Sequence, residues 1–488
     1  DRRRAPGSHR SSLVSAASPG GASGPDVYDR ALIDGPLLPA VWRIAWPTML
    51  QNVIGGLQGV IDHALVGHYV GYAGNAAIGV SLQIYLVVIA FISSLFIGMS
   101  VLVARFVGAR DADRVNRTVL QAFLVAVGLS VGVLAPIGYF AAPALLSLVN
   151  AAPNVQAEAL PFLRIMFVFG VGMLLFYMVG GALRSAGDAR TPLRLGIAVT
   201  ALNITFNVIL IQGLGPFPAL GTSGAAIGTA IATGSVALYS AYKLWSGSWV
   251  VRFPRGEAFR IEWDIVRALF RFGLPSGVQG VAMNVGGVML LGFIGSLAMS
   301  GQAQAAYAVG YTELFSLITW TSAGLTGAVA TVAGQSLGSG NADRAQRSAF
   351  EAARIAATGA AAMGLLFVLI PRQLLALFGM TEPTAVELGV QLLRYLSVSG
   401  VFVAVALTYT GGLQGTGDTR SPLYISLVSQ IVIPLGICWL VQRYSTLDPW
   451  DIWRAILAGH VTRCLLSIWR FRQGRWREIS VDIRPTRA

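Results

Sequence analysis

Charge is what this 488-residue chain has least of: 12% of its residues are charged, against about a quarter in an ordinary soluble domain. That deficit excludes a water-exposed globule with a charged shell. The two cysteines, Cys438 and Cys464, sit in apolar stretches without a partner spacing, which excludes a disulfide framework and a cysteine metal site. No GxxxxGK[ST] loop is present, so the chain is not expected to hydrolyse ATP. HExxH and GxSxG are missing too, and an enzyme is not expected.

What fills the space is apolar: 55% of the residues are hydrophobic. The runs SLQIYLVVIAFISSLFIGMSVLVA and AFLVAVGLSVGVLAPIGYFAAPALL each exceed the roughly 20 residues that cross about 30 Å of hydrocarbon. They lack the period-2 alternation of barrel strands, so helices are the spanning elements. Twelve spans are predicted near 44–68, 78–104, 118–148, 160–183, 192–212, 222–245, 268–298, 304–334, 350–378, 388–412, 422–442 and 450–469.

The net charge of +13 is distributed by topology. Alternate connectors hold the arginines: the N-terminal arm, Arg105 to Arg117, Arg184/Arg190/Arg194, Lys243 to Arg267, Arg344/Arg347/Arg354, Arg420, and the tail from Arg470, with Arg164, Arg372, Arg394, Arg443 and Arg454 as exceptions. The intervening HYVGYAGN, IQGLGPFPALGTSG and AMSGQA hold no basic residue. By the positive-inside rule both termini face the cytoplasm, as in a multi-pass plasma (inner) membrane protein. The partner of the basic excess is the lipid bilayer with its anionic headgroups, not nucleic acid. Residues 1–40, rich in Gly, Ser, Pro and Arg, are expected as a disordered arm, and 471–488 as a basic cytoplasmic tail.

GALRSAGDARTPL, from Gly181, joins two apolar segments. Gly187 permits a left-handed turn, Asp188 can cap the next helix and Pro192 suits its first turn. The pattern returns as GGLQGTGDTRSPL from Gly411, with Asp188 and Asp418 offset by 230 residues. GARDADRVNR and GSGNADRAQR share that offset, and so do Arg164 and Arg394. Pro47 and Gln51 pair with Pro275 and Gln279 at 228. The chain therefore reads as an all-α integral membrane protein of two parallel six-helix repeats around a central cavity. The N-lobe is 41–248, the linker 249–265 and the C-lobe 266–470. Parallel repeats are related by an axis along the membrane normal, with substrate between them, and the two lobes are expected to function as a monomer. The equivalent residues Gly187, Asp188, Arg190, Pro192 and Gly417, Asp418, Arg420, Pro422 are expected to staple helix ends within each bundle while the bundles rock.

Ionisable groups in hydrocarbon cost upward of about 2.5 kcal/mol, so each needs a reason. Asp62 lies roughly 28 Å along its helix from Arg43, at 1.5 Å per residue. A carboxylate there binds a proton, Na⁺ or a cationic substrate, or serves as a structural hydrogen-bonding group. His63 points to another face. Asn203 and Asn207 share a face of the fifth span, and Thr229 on the sixth can meet them. Their oxygens suit Na⁺ or can orient a neighbouring carboxyl; interhelical hydrogen bonding is the plainer role. The offsets turn Asp62, Asn203 and Asn207 into Leu290, Ile433 and Ile437, which confines this chemistry to the N-terminal half. Glu313, whose counterpart is Gln83, is either a second cation site or an acid near a wet interface. Tyr85, Tyr311, Phe315 and Trp320 are candidate cavity linings for cation–π contacts.

The two loops, together with WPTMLQNVIGGLQGVIDHALVGHYVG and NITFNVILI followed by GTSGAAIGTAIATG, resemble the MATE (multidrug and toxic compound extrusion) transporters over residues 41–470. The resemblance implies an antiporter that expels small organic, often cationic, compounds in exchange for H⁺ or Na⁺, without a cofactor. It maps the N-lobe ion site of archaeal and many bacterial members onto Asp62, Asn203, Asn207 and Thr229, with Na⁺ at Asp62 as the one metal it allows. Asn207 departs from it, being an amide where those members hold a carboxylate. The C-lobe acid pair of other members is missing too: VAMNVGGVML offers only Asn284. The alternative within the superfamily is a flippase or exporter of lipid-linked precursors or metabolites.

Overall fold

The computed structural model describes residues 28, 30–149, 152–254 and 260–481. The long helical segments are α1 Leu37–Tyr69, α2 Tyr72–Gly108, α3 Ala112–Leu148, α4 in two parts (Pro153–Phe169 and Val171–Ser185), α5 Arg190–Gln212 and α6 Gly221–Ser246. They continue as α7 Trp263–Gly295, α8 Ser300–Gly338, α9 Ala342–Leu369, α10 Pro383–Gly415, α11 Arg420–Tyr444 and α12 Pro449–Arg472. Among the described residues there is no strand.

Among the described residues, eight segments are long and apolar enough to cross a membrane by themselves, and α4, whose halves meet at 50°, makes nine. The other three are α1, α2 and α12. In α2 the apolar run covers 81–104 of the sequence, and Ser94–Gly108 is the part that counts among the described residues. The sequences of α1 and α12 explain their shortfall: α1 carries Gln51, Asn52, Gln58, Asp62 and His63, and α12 carries Asp451, Arg454, His460, Arg463 and Arg470. Such groups are expensive in a span, which makes these two helices the ones to ask for function.

The repeat is built into the packing. Asp111 caps α3 by accepting from the Arg114 amide at 3.0 Å, and Asn341 caps α9 by accepting from the Arg344 amide at 2.9 Å. Between the lobes, α1 packs on α8, α2 on α7, and α2 on α8. A twofold that exchanges α1 with α7 and α2 with α8 swaps the first two contacts and maps the third onto itself, so the axis passes between α2 and α8. Their C-terminal ends, which lead into arginine-bearing connectors and are here called the basic end, approach backbone to backbone. A Cβ on Gly108 would stand 2.0 Å from the Gln335 carbonyl oxygen, and one on Gly338 2.2 Å from that of Arg105. Both pairs, Gly108/Gly338 and Arg105/Gln335, are related by the 230-residue offset.

The chain ends pack more tightly than their composition suggests. Of the arm expected to be disordered through residue 40, positions 1–27 and 29 lie outside the described residues. The rest includes a helical turn, Arg30–Ile33, and the start of α1. Leu32 is buried in the C-lobe core and its carbonyl accepts from Arg344 Nη2 at 3.0 Å. In the tail, Arg475–Glu478 forms a 3₁₀ turn, with Trp476 fully buried and stacked on Phe471 at 5.0 Å. Apolar burial of that size outweighs the basic character of the segment. The linker likewise inserts Val251 and Phe253 into the N-lobe core.

Candidate functional site

Three N-lobe helices converge near the end opposite the basic one. Asp62 lies seven residues before the end of α1, Asn207 five before the end of α5, and Thr229 eight after the start of α6. At 1.5 Å per residue these depths agree within about 5 Å. The side chains form one hydrogen-bonded chain. Asn207 Nδ2 donates to Asp62 Oδ1 at 2.7 Å and to Asn203 Oδ1 at 3.3 Å, and Asn203 Nδ2 donates to Thr229 Oγ1 at 2.9 Å. Thr229 Oγ1 in turn donates to the Ala225 carbonyl at 2.9 Å.

Asn203 and Asn207 are fully buried, and buried amides need partners. One acceptor, Asn207 Oδ1, has none. It fits only because α6 has glycine opposite: a Cβ on Gly228 would lie 2.1 Å from that oxygen. All four residues that the sequence singles out are thus brought together. Two neighbours were missed, Gln58 and Thr200, whose side chains bond at 2.8 Å one turn deeper. Gln58 stands four residues before Asp62 and Thr200 three before Asn203, a helical spacing that could have found them. His63 turns away, to Asn75 on α2 at 2.6 Å.

The remaining candidates are scattered. Glu313 and Gln83 are both exposed, on α8 and α2. Asn284 is exposed and donates to the Gly280 carbonyl of its own helix at 2.9 Å. Of the aromatic linings, Tyr85 and Phe315 are core side chains at 1% exposure, and Tyr311 packs against the C-lobe core. Trp320 does meet the other lobe, since a Cβ on Gly56 would strike its ring. Aromatic side chains are large enough to be taken into the nearest core, which overrides a lining role.

The repeated loops behave as helix caps and as parts of the lobe interface. Gly187 and Gly417 have φ of 100° and 98°, the left-handed turns expected. Asp188 Oδ1 accepts from the amides of Arg190 and Thr191, and Asp418 Oδ1 from that of Ser421. The staple expected from the loop arginines is not formed by them: Arg190 and Arg420 are exposed. Asp418 pairs instead with Arg470 of α12 at 2.8 Å. Each loop is gripped from the other lobe. Gln335 of α8 donates to the Ser185 carbonyl at 2.8 Å, and Arg105 of α2 donates to the Thr416 carbonyl at 3.1 Å and to the Ile479 carbonyl at 2.7 Å.

Just inside this closure lies an inter-lobe cavity of about 240 Å³, lined by Ser100, Val101, Arg184, Ala323, Thr326 and Gln414 among others. Arg184 was assigned to a basic connector, but it occupies the last turn of α4 and donates inward to Gln51 Oε1 at 3.2 Å. Its repeat counterpart is the neutral Gln414, and that asymmetry was the readable signal. Among the described residues no group of three His, Cys, Asp or Glu gathers as a metal cluster would.

A family model described as MatE matches residues 47–209 and 275–440. Among curated relatives, the chain is 25% identical over 452 residues to a probable multidrug resistance protein NorM of Thermotoga maritima, covering 90% of this chain and 93% of that one. It is 26% identical over 441 residues to the multidrug resistance protein MdtK of Pectobacterium atrosepticum, covering 88% and 94%. The fold matches the outward-facing structure of a multidrug resistance MATE family transporter of the MOP superfamily, with a TM-score of 0.85 and 22% identity over 92% of this chain and 98% of that one.

Proposed function

The chain belongs to the MatE family of transporters, and we propose that it is a secondary antiporter exporting organic cations in exchange for a proton taken up at Asp62. The observation that carries the proposal is the chain Asp62–Asn207–Asn203–Thr229, assembled from three helices of one lobe. Asn207 presents its Nδ2 donor, not its oxygen, to the carboxylate. The site then offers one formal negative charge, which a single proton neutralises, and only one buried oxygen left without a donor, Asn207 Oδ1. On this reading the basic end faces the cytoplasm of an inner-membrane protein, and the lobes are closed there.

Export of organic compounds rests on the names borne by the relatives. Cationic substrates fit the exposed Glu313 on α8 better than they fit Arg184, which lies in the closed cavity. That arginine supports a second reading, a metabolite or lipid-linked precursor with an anionic group, because a guanidinium pairs well with phosphate or carboxylate.

The test is efflux of a cationic dye from sealed proteoliposomes, driven separately by a pH step and by a Na⁺ step. Intact protein is run beside Asp62→Asn, with membrane insertion checked for both. Proton-driven efflux that the variant loses is the expected result. Efflux driven only by Na⁺ replaces the coupling ion. Equal efflux by both proteins removes Asp62 from the mechanism, and no efflux with either gradient favours the second reading.

A further inference from the structure

One face of α12 carries an unmet demand for negative charge. Trp453, His460, Arg463 and Ser467 recur at intervals that keep them within about 80° of arc on an α-helix, along roughly 21 Å of its length. All four are buried, Arg463 at 6% exposure and His460 at 2%. In each, one side-chain polar atom has no hydrogen-bond partner: Trp453 Nε1, His460 Nδ1, Arg463 Nε and Ser467 Oγ. The neighbouring helices add Ser399 Oγ of α10 and Ser429 Oγ and Gln430 Nε2 of α11, also buried and unpartnered. Every one of these seven atoms can donate a hydrogen bond, and three of them only donate. The one unpartnered pure acceptor on these three helices, Gln391 Oε1, lies eight residues before Ser399 on α10.

The surroundings form a walled site. His460 stacks on Phe315 at 5.6 Å and on Tyr311 at 6.3 Å, and Tyr307 stacks on Tyr311 at 4.9 Å. Gly400 of α10 approaches Phe315, and Gly459 of α12 approaches the Ser429 carbonyl and Gln430 Nε2, which brings the α8, α10 and α11 walls together around α12. Two walls are π-helical where they meet it, Ala308–Leu314 of α8 and Val428–Val432 of α11. Such segments occur often at functional sites. Among the described residues no carboxylate pairs with Arg463. Arginine stays protonated, and a buried cation without a counter-charge is strongly unfavourable. Water would satisfy the donors but leave the charge.

We propose that the C-lobe binds a small monovalent anion, chloride or a carboxylate group, against the buried donors of Arg463, His460, Gln430 and Ser429. A single buried guanidinium calls for a single negative charge, which is why the ligand is monovalent. The site stands apart from the antiport reading, because it is read by binding alone. In the repeat, Arg463 replaces Thr233 of α6, one turn from Thr229, so the two lobes carry buried sites of opposite sign at nearly equivalent places.

The test is thermal unfolding of the purified full-length protein in detergent, with potassium gluconate exchanged stepwise for potassium chloride or potassium formate at constant ionic strength. A saturable rise in melting temperature is expected for the intact protein. Arg463→Met should show no such rise and, in gluconate, should melt no lower than the parent, because the uncompensated charge is gone. Arg463→Lys should keep a rise that half-saturates at a several-fold higher anion concentration. A response to formate alone supports the site with a carboxylate as its ligand. An intact protein indifferent to both anions, or Arg463→Met responding as the parent does, overturns the proposal.

Discussion

Adding a single methyl group at the crossing of α2 and α8 should open the basic end. In Gly108→Ala or Gly338→Ala the new Cβ would stand 2.0 or 2.2 Å from a carbonyl oxygen of the other lobe, where ordinary contact begins at 3.4 Å. Each glycine ends a helix in which alanine is otherwise favoured, so the effect is steric. The helices must part by roughly 1.2–1.4 Å, and overpacking of this kind costs about 1–3 kcal/mol. The cost falls only on the state in which the lobes touch, so the open population should grow by about 5- to 150-fold.

The assay is a distance distribution between spin labels at Asp113→Cys and Asp343→Cys, exposed positions at the starts of α3 and α9 beside the crossing. Cys438 and Cys464 are replaced by serine in the parent. Gly359→Ala is the control: nothing lies within 4 Å of its Cβ, so the distribution should stay as it is. A folded Gly338→Ala protein with the parent's distances would refute the steric argument and the closure built on it.

The two loop aspartates should differ despite their matched motifs. Asp418 is 6% exposed and pairs with Arg470, so Asp418→Asn should cost about 3 kcal/mol as a broken buried pair. Asp188 only caps α5, a task asparagine performs equally, so Asp188→Asn should cost under about 0.5 kcal/mol. Equal losses in melting experiments would count against the pairing. Asn207→Asp places a second carboxylate beside Asp62, and such a pair must share a proton or a cation. A Na⁺ step should then drive efflux in proteoliposomes where it did not before; an unchanged ion preference would remove Asn207 from ion selection.

The fold was legible because two signals agreed, span-length apolar runs and motifs repeated at one offset. The N-lobe site was legible for a related reason: Asp62, Asn203 and Asn207 have apolar counterparts, and polar groups confined to one copy stand out. Arg184 was hidden by the very rule that gave the topology. Sorting arginines into connectors placed it in a loop, whereas it occupies a helical turn and reaches inward. The α12 stripe was hidden because its members differ in type, and their demand shows only in which polar atoms their neighbours leave without a partner. Aromatic content carried no facial information, so Tyr85 and Phe315 went to the core. Composition showed the basic character of the tail but not its anchor, the buried Trp476.

The placement of contacts along α1 gives the antiport reading a physical route. Asp62 stands ten residues past Asn52, whose Nδ2 donates to the Trp320 carbonyl of α8 at 3.1 Å. Three residues before Asn52, Met49 packs on Gly324 of α8. One continuous helix therefore carries the ionisable group towards one end and lobe-to-lobe contacts at its middle. Protonating Asp62 weakens its charge-assisted bond to Asn207, a bond worth about 1.5–3 kcal/mol. What it must overcome at the basic end is of the same order. Arg105 holds two carbonyls and Gln335 one, each contributing about 1–3 kcal/mol before water replaces it. A full population switch needs about 5.5 kcal/mol of differential binding. The proton alone falls short of that, so its half of the cycle must run between two states already close in energy; substrate drives the other half in its turn, and exchange stays tight only if the carrier holding neither ligand does not switch.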